Sequence, residues 1–303
     1  MSQQESLALI RQYYDRKTGL IPQGAGLVWF MSQDQLHPPM INNSKYWMSP
    51  DGWKLGAEQT VRNLLQMINP KKGETILDIG CGIGGPGRLV NREFHAKMIE
   101  LNLGMTQLKT NQSLSSPLIN SRYQSIDHLQ ADGQRLPFAN ETINHCMSVN
   151  MFYHFEDPSW VTNELHRVLK SKGRVGIDDW FLTNKTNMET VERLRYEWSS
   201  PAGFHNYARV KSYFRQAGFH IAKEVDMTKS GINYINEGSF GITFDKYIRP
   251  IILENFSNIY QYPSYAPEHA SQAADQLKNA VLLMGDLYRN GEATYNQIVF
   301  EKD

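Results

Sequence analysis

The sequence predicts an α/β protein with a mostly parallel sheet covered by helices on both faces, and three observations carry the prediction. Short apolar runs, ETILDIG, AKMIEL, YQSIDHLQAD, INHCMSVN and GRVGIDDW, alternate with amphipathic stretches, the rhythm of successive βαβ units. A glycine-rich segment, GCGIGGPGR, directly follows the first run. Near the end, ATYNQIVFEK alternates well enough to form one more strand.

Composition sets the outer limits. At 303 residues, 41% hydrophobic and 20% charged, the chain is long enough to bury a full core as one large domain or as one domain with a cap. Lys+Arg and Asp+Glu both number 31, so the formal net charge is zero, and no long basic run offers a phosphate-neutralising surface. A nucleic-acid partner is therefore disfavoured. Cys81 and Cys146 are too few for a disulfide framework and lack metal-ligand spacing, so no metal is expected and the expected compartment is a reducing cytosol. The start, MSQQESLALIRQYYDRK, has no continuous apolar stretch, and no run reaches the roughly 18 apolar residues of a membrane span.

Taken in order, residues 1–60 have no place in the strands and are rich in aromatic segments, which suggests a helical lid. Residues 61–181 hold the strand runs and form the ligand-binding core. Within them PSWVTNELHRVLK, Pro158 to Lys170, opens on a proline and places Val161, Leu165, Val168 and Leu169 on one face, as a sheet-covering helix requires. Residues 182–275 read as a cap insertion. A polar link, TNKTNMETVERLRYEW, leads through SSPAGF to a helix and strand of the core, YARVKSYFRQAGFHIAKEV, and Ser230 to Ala270 shows no clear period. Residues 276–303 supply a last helix, within DQLKNAVLLMGDLYRNG, and the last strand. The N-terminal and cap segments are the expected faces for any homo-oligomer.

The glycine loop narrows the ligand. Gly80, Gly82 and Gly85 have the spacing of a dinucleotide fingerprint, and Glu100 ends the next strand where an acid accepts hydrogen bonds from both hydroxyls of a ribose. Yet Asp78 stands two residues before the first glycine, where it would oppose a pyrophosphate. A nucleoside carrying an ammonium and a sulfonium reverses that objection, and S-adenosylmethionine (SAM) is such a ligand.

At this point the sequence resembles the class I SAM-dependent methyltransferases. ILDIGCGIGGPGR is similar to their first motif, MIELN to the acid of the second strand, ADGQRLPF to the adenine-binding turn, NHCMSVNMFYHFEDP to the fourth strand and its loop, and VLKSKGRVGIDDW to the segment entering the fifth. The resemblance implies a Rossmann-like sheet of seven strands with the last antiparallel, and SAM as cofactor. It implies that Asp78, Gly80, Gly82 and Gly84 cradle the methionyl end and that Glu100 holds the ribose. Asp132, with Gly133 and Gln134 beside it and Leu101 opposite, would meet the adenine, Asn150 would open the acceptor side, and Tyr14 would reach the cofactor from the lid.

Methyl transfer is an in-line substitution in which the protein mostly positions, dehydrates and, where needed, removes a proton. His154, Glu156, Asp178 and Asp179 lie at the carboxyl ends of the fourth and fifth strands; His154 and Asp179 are the leading candidates for the base. Asp178 and Asp179 are adjacent in a strand, so they point to opposite faces. Trp29, Phe30, Trp47, Trp180, Trp198, Phe204 and Tyr207 lie in segments expected to roof the acceptor. Arg193, Arg195 and Arg209 could receive an anionic substrate, although a solvated helix face explains them more simply.

Within the family the chain most resembles the small-molecule branch that includes the sarcosine, tocopherol, sterol and prenyl-diphosphate methyltransferases. Sterol enzymes of that branch usually carry a glutamate four residues before the loop histidine, where this chain has Asn150. An amide accepts no proton, so alkene C-methylation here needs a base from elsewhere. The resemblance implies transfer to N, O or an electron-rich carbon of a mid-sized, partly apolar metabolite, with natural-product biosynthesis as the setting. The alternatives are prenyl-diphosphate or other alkene C-methylation, and SAM binding without methyl transfer.

Overall fold

In the computed structural model the described residues are 50–119, 125–197, 204–236, 240–241, 244–250, 253 and 267–303. The lid with Tyr14, Trp29, Phe30 and Trp47, and Trp198 before the sixth strand, lie outside the described residues.

Alternating apolar runs and amphipathic stretches fold as βα units. Helix α1 (Pro50–Ile68) leads into β1 (Thr75–Ile79), α2 (Gly85–Phe94), β2 (Lys97–Asn102), α3 (Met105–Ile119), β3 (Ile126–Gln130) and β4 (Ile143–Val149). There follow α4 (Pro158–Val168), β5 (Leu169–Leu182), α5 (Met188–Glu197), α6 (Tyr207–Gln216), β6 (Phe219–Asp226), α7 (Thr228–Asn236), α8 (Pro267–Asn290) and β7 (Ala293–Lys302).

The seven strands form one sheet in the order β3-β2-β1-β4-β5-β7-β6. Strands β1 to β5 pair in parallel and β7 runs antiparallel to β6, as expected. Because the order reverses between β1 and β4, the crevice at their carboxyl ends is where such a sheet binds ligands. Parallel strands are covered on both faces, which explains why TILDI and INHCMSV are almost continuously buried.

Local chemistry fixes the element ends. Asp157 caps α4 by accepting the Ser159 N–H, and Pro158 occupies its first turn. The helix stops at Val168, two residues before the expected Lys170, because Leu169 is already extended and opens β5. Leu77, Ile79, Cys146, Leu165, Ile177 and Phe181 join one core cluster, which Phe214 and Phe300 extend by stacking at 3.9 Å between ring centroids. Gly176 lies where a Cβ would overlap the Leu64 and Ile68 side chains, so a glycine in β5 lets α1 approach the sheet closely.

The chain divides into two compact units: residues 1–60, 182–201 and 227–294, and residues 61–181, 202–226 and 295–303. The segment expected to be a polar link contains α5. Its Val191 and Leu194, three residues apart, are buried, while Met188 and Tyr196 are exposed among polar residues, which leaves a faint period. Helices α5 and α7 both pack on α8, and Thr183 bonds to the Gly291 carbonyl at 2.7 Å. The aperiodic segment thus contributes a helix, α7, and α8 begins earlier than the expected run at Asp275. Among the described residues no helix is long and apolar enough to cross a membrane.

Candidate active site

The site begins with two carboxylates. In the parallel register of β1 and β2, Asp78 lies opposite Glu100, and their side chains are 2% and 0% exposed. Glu100 Oε2 accepts from Asn111 Nδ2 at 3.2 Å, whereas Glu100 Oε1 and Asp78 Oδ2 have no hydrogen-bond partner among the described residues. Burial pushes the Asp78 carboxyl well above its ordinary range, and the Glu100 charge pushes it further. Burial likewise raises Glu100 from 4.5 to about 7, against the pull of the Arg88 guanidinium and of hydrogen bonds from Cys81 and Asn111. Buried acceptors left without donors are costly, so the pair is built for a ligand that brings them. The ammonium and ribose hydroxyls of SAM are such donors, and the residues present fit that group.

A pH dependence follows. Because Glu100 titrates higher folded than unfolded, its stabilising contribution is full below about pH 4.5 and is lost as pH rises through about 7. The ligand-free protein is expected to lose unfolding free energy between about pH 5 and 8 through this group, and saturating SAM to recover most of the loss. Urea denaturation at the two pH values, with and without SAM, measures this. A flat, ligand-independent profile would contradict the strained pair.

The loop after β1 turns on glycines. Gly80, Gly82 and Gly84 have φ of 75°, 56° and 76°, in the left-handed region, whereas Gly85 of the fingerprint spacing does not. The N–H groups of Gly80 and Cys81 both donate to the Leu101 carbonyl, at 2.8 and 3.1 Å, which ties the loop to β2. Gly84 caps α2, and a Cβ on Gly87 in its first turn would fall 1.5 Å from Glu100 Oε1. That glycine leaves room for the Glu100 carboxylate under the helix.

On the adenine side, Asp132 Oδ1 accepts the Gln134 N–H at 2.9 Å, forming an Asx-type turn through Gly133. Gln134 is buried, and its Oε1 has no partner among the described residues, a third orphan acceptor. The Leu101 side chain belongs to the core cluster. Sequence reasoning gave it a place beside the base; the structure shows a core side chain whose carbonyl anchors the loop.

Beyond β4 the chain bends at Asn150, whose φ is 49°, and Met151 then lays its side chain over Gly80. A short turn, Phe152–His154, follows. Asp179 holds it: Oδ2 accepts the Phe152 N–H and Oδ1 the Trp180 N–H, both at 2.8 Å. Asp179, a candidate base by its sequence, thus has both oxygens occupied by buried backbone N–H groups and positions the turn. The turn presents His154, 4.1 Å between ring centroids from Tyr153. Tyr153 and Trp180 pack against Phe204 at 5.9 and 4.9 Å, so Tyr153 links His154 to Trp180 and Phe204. Tyr207 does not join them; its ring stacks on Phe181 and its hydroxyl bonds to Glu224 at 2.6 Å. Glu156 is exposed on the loop.

Sequence reasoning missed Asn111, Tyr153, Tyr295 and Gln297. Tyr295 and Gln297 bind Asp178 from β7, at 2.6 and 2.8 Å. Their signal was weak but present: Tyr295, Asn296 and Gln297 are consecutive polar residues in a strand, and all are buried.

A family profile described as a methyltransferase domain matches residues 77–177. The chain is similar to the cycloartenol-C-24-methyltransferase of Arabidopsis thaliana, with 21% identity over 286 residues, covering 90% of this chain and 80% of that one. It is 22% identical over 232 residues to a sterol 24-C-methyltransferase of Aspergillus fumigatus, where it spans 74% of itself but only 56% of the relative. In fold it is similar to a geranyl diphosphate methyltransferase solved with GPP and sinefungin: TM-score 0.74, 14% identity, 98% of this chain and 99% of the other.

Proposed function

We propose that this chain is a class I SAM-dependent methyltransferase with SAM as its cofactor, and that it methylates N, O or an electron-rich carbon of a mid-sized, partly apolar metabolite. The observation that carries the reading is the buried Asp78–Glu100 pair, with unpartnered oxygens beside the glycine loop.

Bound SAM supplies an electrophilic methyl on a sulfonium. Asp78 receives its ammonium and Glu100 its ribose hydroxyls, while Gly80, Gly82 and Gly84 let the loop backbone approach the methionyl end. Asp132 and Gln134 serve the adenine. On the far side, the cluster of Tyr153, Trp180 and Phe204 excludes water and favours an apolar or cationic acceptor through its ring faces. His154 is the proposed acceptor contact. The segment before residue 50, with Tyr14, Trp29, Phe30 and Trp47, is proposed to close over the site, on sequence grounds alone. Natural-product biosynthesis is the proposed setting, by family analogy.

A second reading, alkene C-methylation, is favoured by the C-24 and 24-C methyl transfer for which the sterol relatives are named. The test is methyl-labelled SAM offered with a panel of amines, phenols and isoprenoid alkenes. Label in any product supports methyl transfer, and the labelled class chooses between readings. SAM binding with no labelled product from any class would favour a protein that holds SAM without transferring methyl.

A further inference from the structure

Asp178 sits 1% exposed at the end of β5, and the hydrogen bonds to its carboxylate come from neutral donors. Its Oδ2 accepts from the Tyr295 hydroxyl at 2.6 Å and from the Asn150 amide at 3.4 Å, and its Oδ1 accepts from the Gln297 amide at 2.8 Å. Asn150 also donates to the Tyr295 oxygen at 2.7 Å. The Tyr295 hydroxyl is thereby held from two sides, giving its proton toward a carboxylate and receiving an N–H on its oxygen. These groups come from β4, β5 and β7, at the end of the sheet that carries the glycine loop. Asn150 immediately precedes Met151, whose side chain covers Gly80. Asp179, next to Asp178 in β5, is also ionisable and accepts the Phe152 and Trp180 N–H groups.

We propose that Tyr295, backed by Asp178 and oriented by Asn150, takes up the proton that the acceptor sheds on methylation, so that the acceptor is a secondary amine, a phenol or an alkene. The proposal rests on the methyl-transfer reading. As the bond from sulfur to methyl breaks and the bond from acceptor to methyl forms, positive charge moves onto the acceptor. The acceptor's proton then passes to the Tyr295 oxygen, leaving its bonding electron pair on the acceptor, while the Tyr295 proton passes to Asp178 Oδ2. Asp178 ends the turnover neutral and returns its proton to solvent. Burial holds the Asp178 carboxyl at about 6, against the donation from Tyr295 and Gln297; it is thus ionised at neutral pH yet more basic than an ordinary carboxylate, as a proton acceptor working there should be.

The experiment compares a secondary amine, which must lose a proton, with its N-methyl tertiary counterpart, which need not, using the full chain and labelled SAM. In Tyr295→Phe, transfer to the secondary amine is expected to fall roughly 10²–10⁴-fold, at least tenfold more than transfer to the tertiary amine, with SAM affinity kept near the parent's. The parent's kcat/KM for the secondary amine should decline below about pH 6, and Asp178→Asn should lack that limb. Equal losses for both amines, or an acid limb that disappears in His154→Gln instead, would overturn the relay. A parent that labels neither amine, nor any phenol or alkene, overturns the methyl-transfer reading itself; an active parent with an unimpaired Tyr295→Phe overturns only the relay.

Discussion

Replacing Glu100 with alanine is expected to weaken SAM binding by roughly 3–6 kcal/mol, because two hydrogen bonds to a charged acceptor are lost, each worth roughly 1.5–3 kcal/mol. The affinity should therefore drop by about 10²–10⁴-fold. A general loss of structure is separated from this by Glu100→Gln, which keeps the volume but removes one of two register-paired buried acids. That variant should bind SAM more weakly than the parent and, free of ligand at pH 8, melt at a higher temperature, since it no longer opposes Asp78. Opposite changes in binding and stability are a signature that simple unfolding cannot produce. If Glu100→Gln binds SAM like the parent, or melts lower at pH 8, the carboxylate pair is not what the cofactor uses.

Asp179→Ala is expected to lower stability by about 2–6 kcal/mol. It leaves the Phe152 and Trp180 N–H groups buried without an acceptor, at roughly 1–3 kcal/mol each. The turn bearing Tyr153 and His154 should loosen with it, so amide exchange at Phe152 should accelerate before global unfolding does. Asp179→Asn keeps one carbonyl oxygen and should lose less. Denaturant unfolding reads the stability change, and a loss under about 0.5 kcal/mol for the alanine variant, with unchanged exchange at Phe152, would show that the turn is held by other contacts.

What the sequence made legible was local chemistry. Asp78, the left-handed glycines and Glu100 lie within a short stretch of chain, and their spacing alone fixes them to the ends of adjacent strands. Leu101 shows the limit: its position beside the loop was readable, but whether its side chain faced the base or the core depended on packing. Helix α5 was obscure because only Val191 and Leu194 carry its apolar face. Asp179 resembled a base by residue type. Its partners are backbone N–H groups, one of them 27 residues away on a loop, which no residue pattern reveals. The Asp178 network was hidden by distance, since Tyr295 and Gln297 join it from 117 and 119 residues along the chain. Tyr207 lay near the right loop in sequence, yet the turn of α6 carries its hydroxyl to Glu224.

The central claim, that the Asp78–Glu100 pair and the glycine loop form a SAM site and not a dinucleotide site, is tested most directly by calorimetric titration of the full chain with SAM, its demethylated product and NADH. The account predicts saturable binding of SAM and of the product, roughly 10²–10⁴-fold weaker SAM binding in Glu100→Ala, and no saturable binding of NADH, whose pyrophosphate would meet Asp78. Tight NADH binding, or SAM binding unchanged by the loss of Glu100, would contradict it.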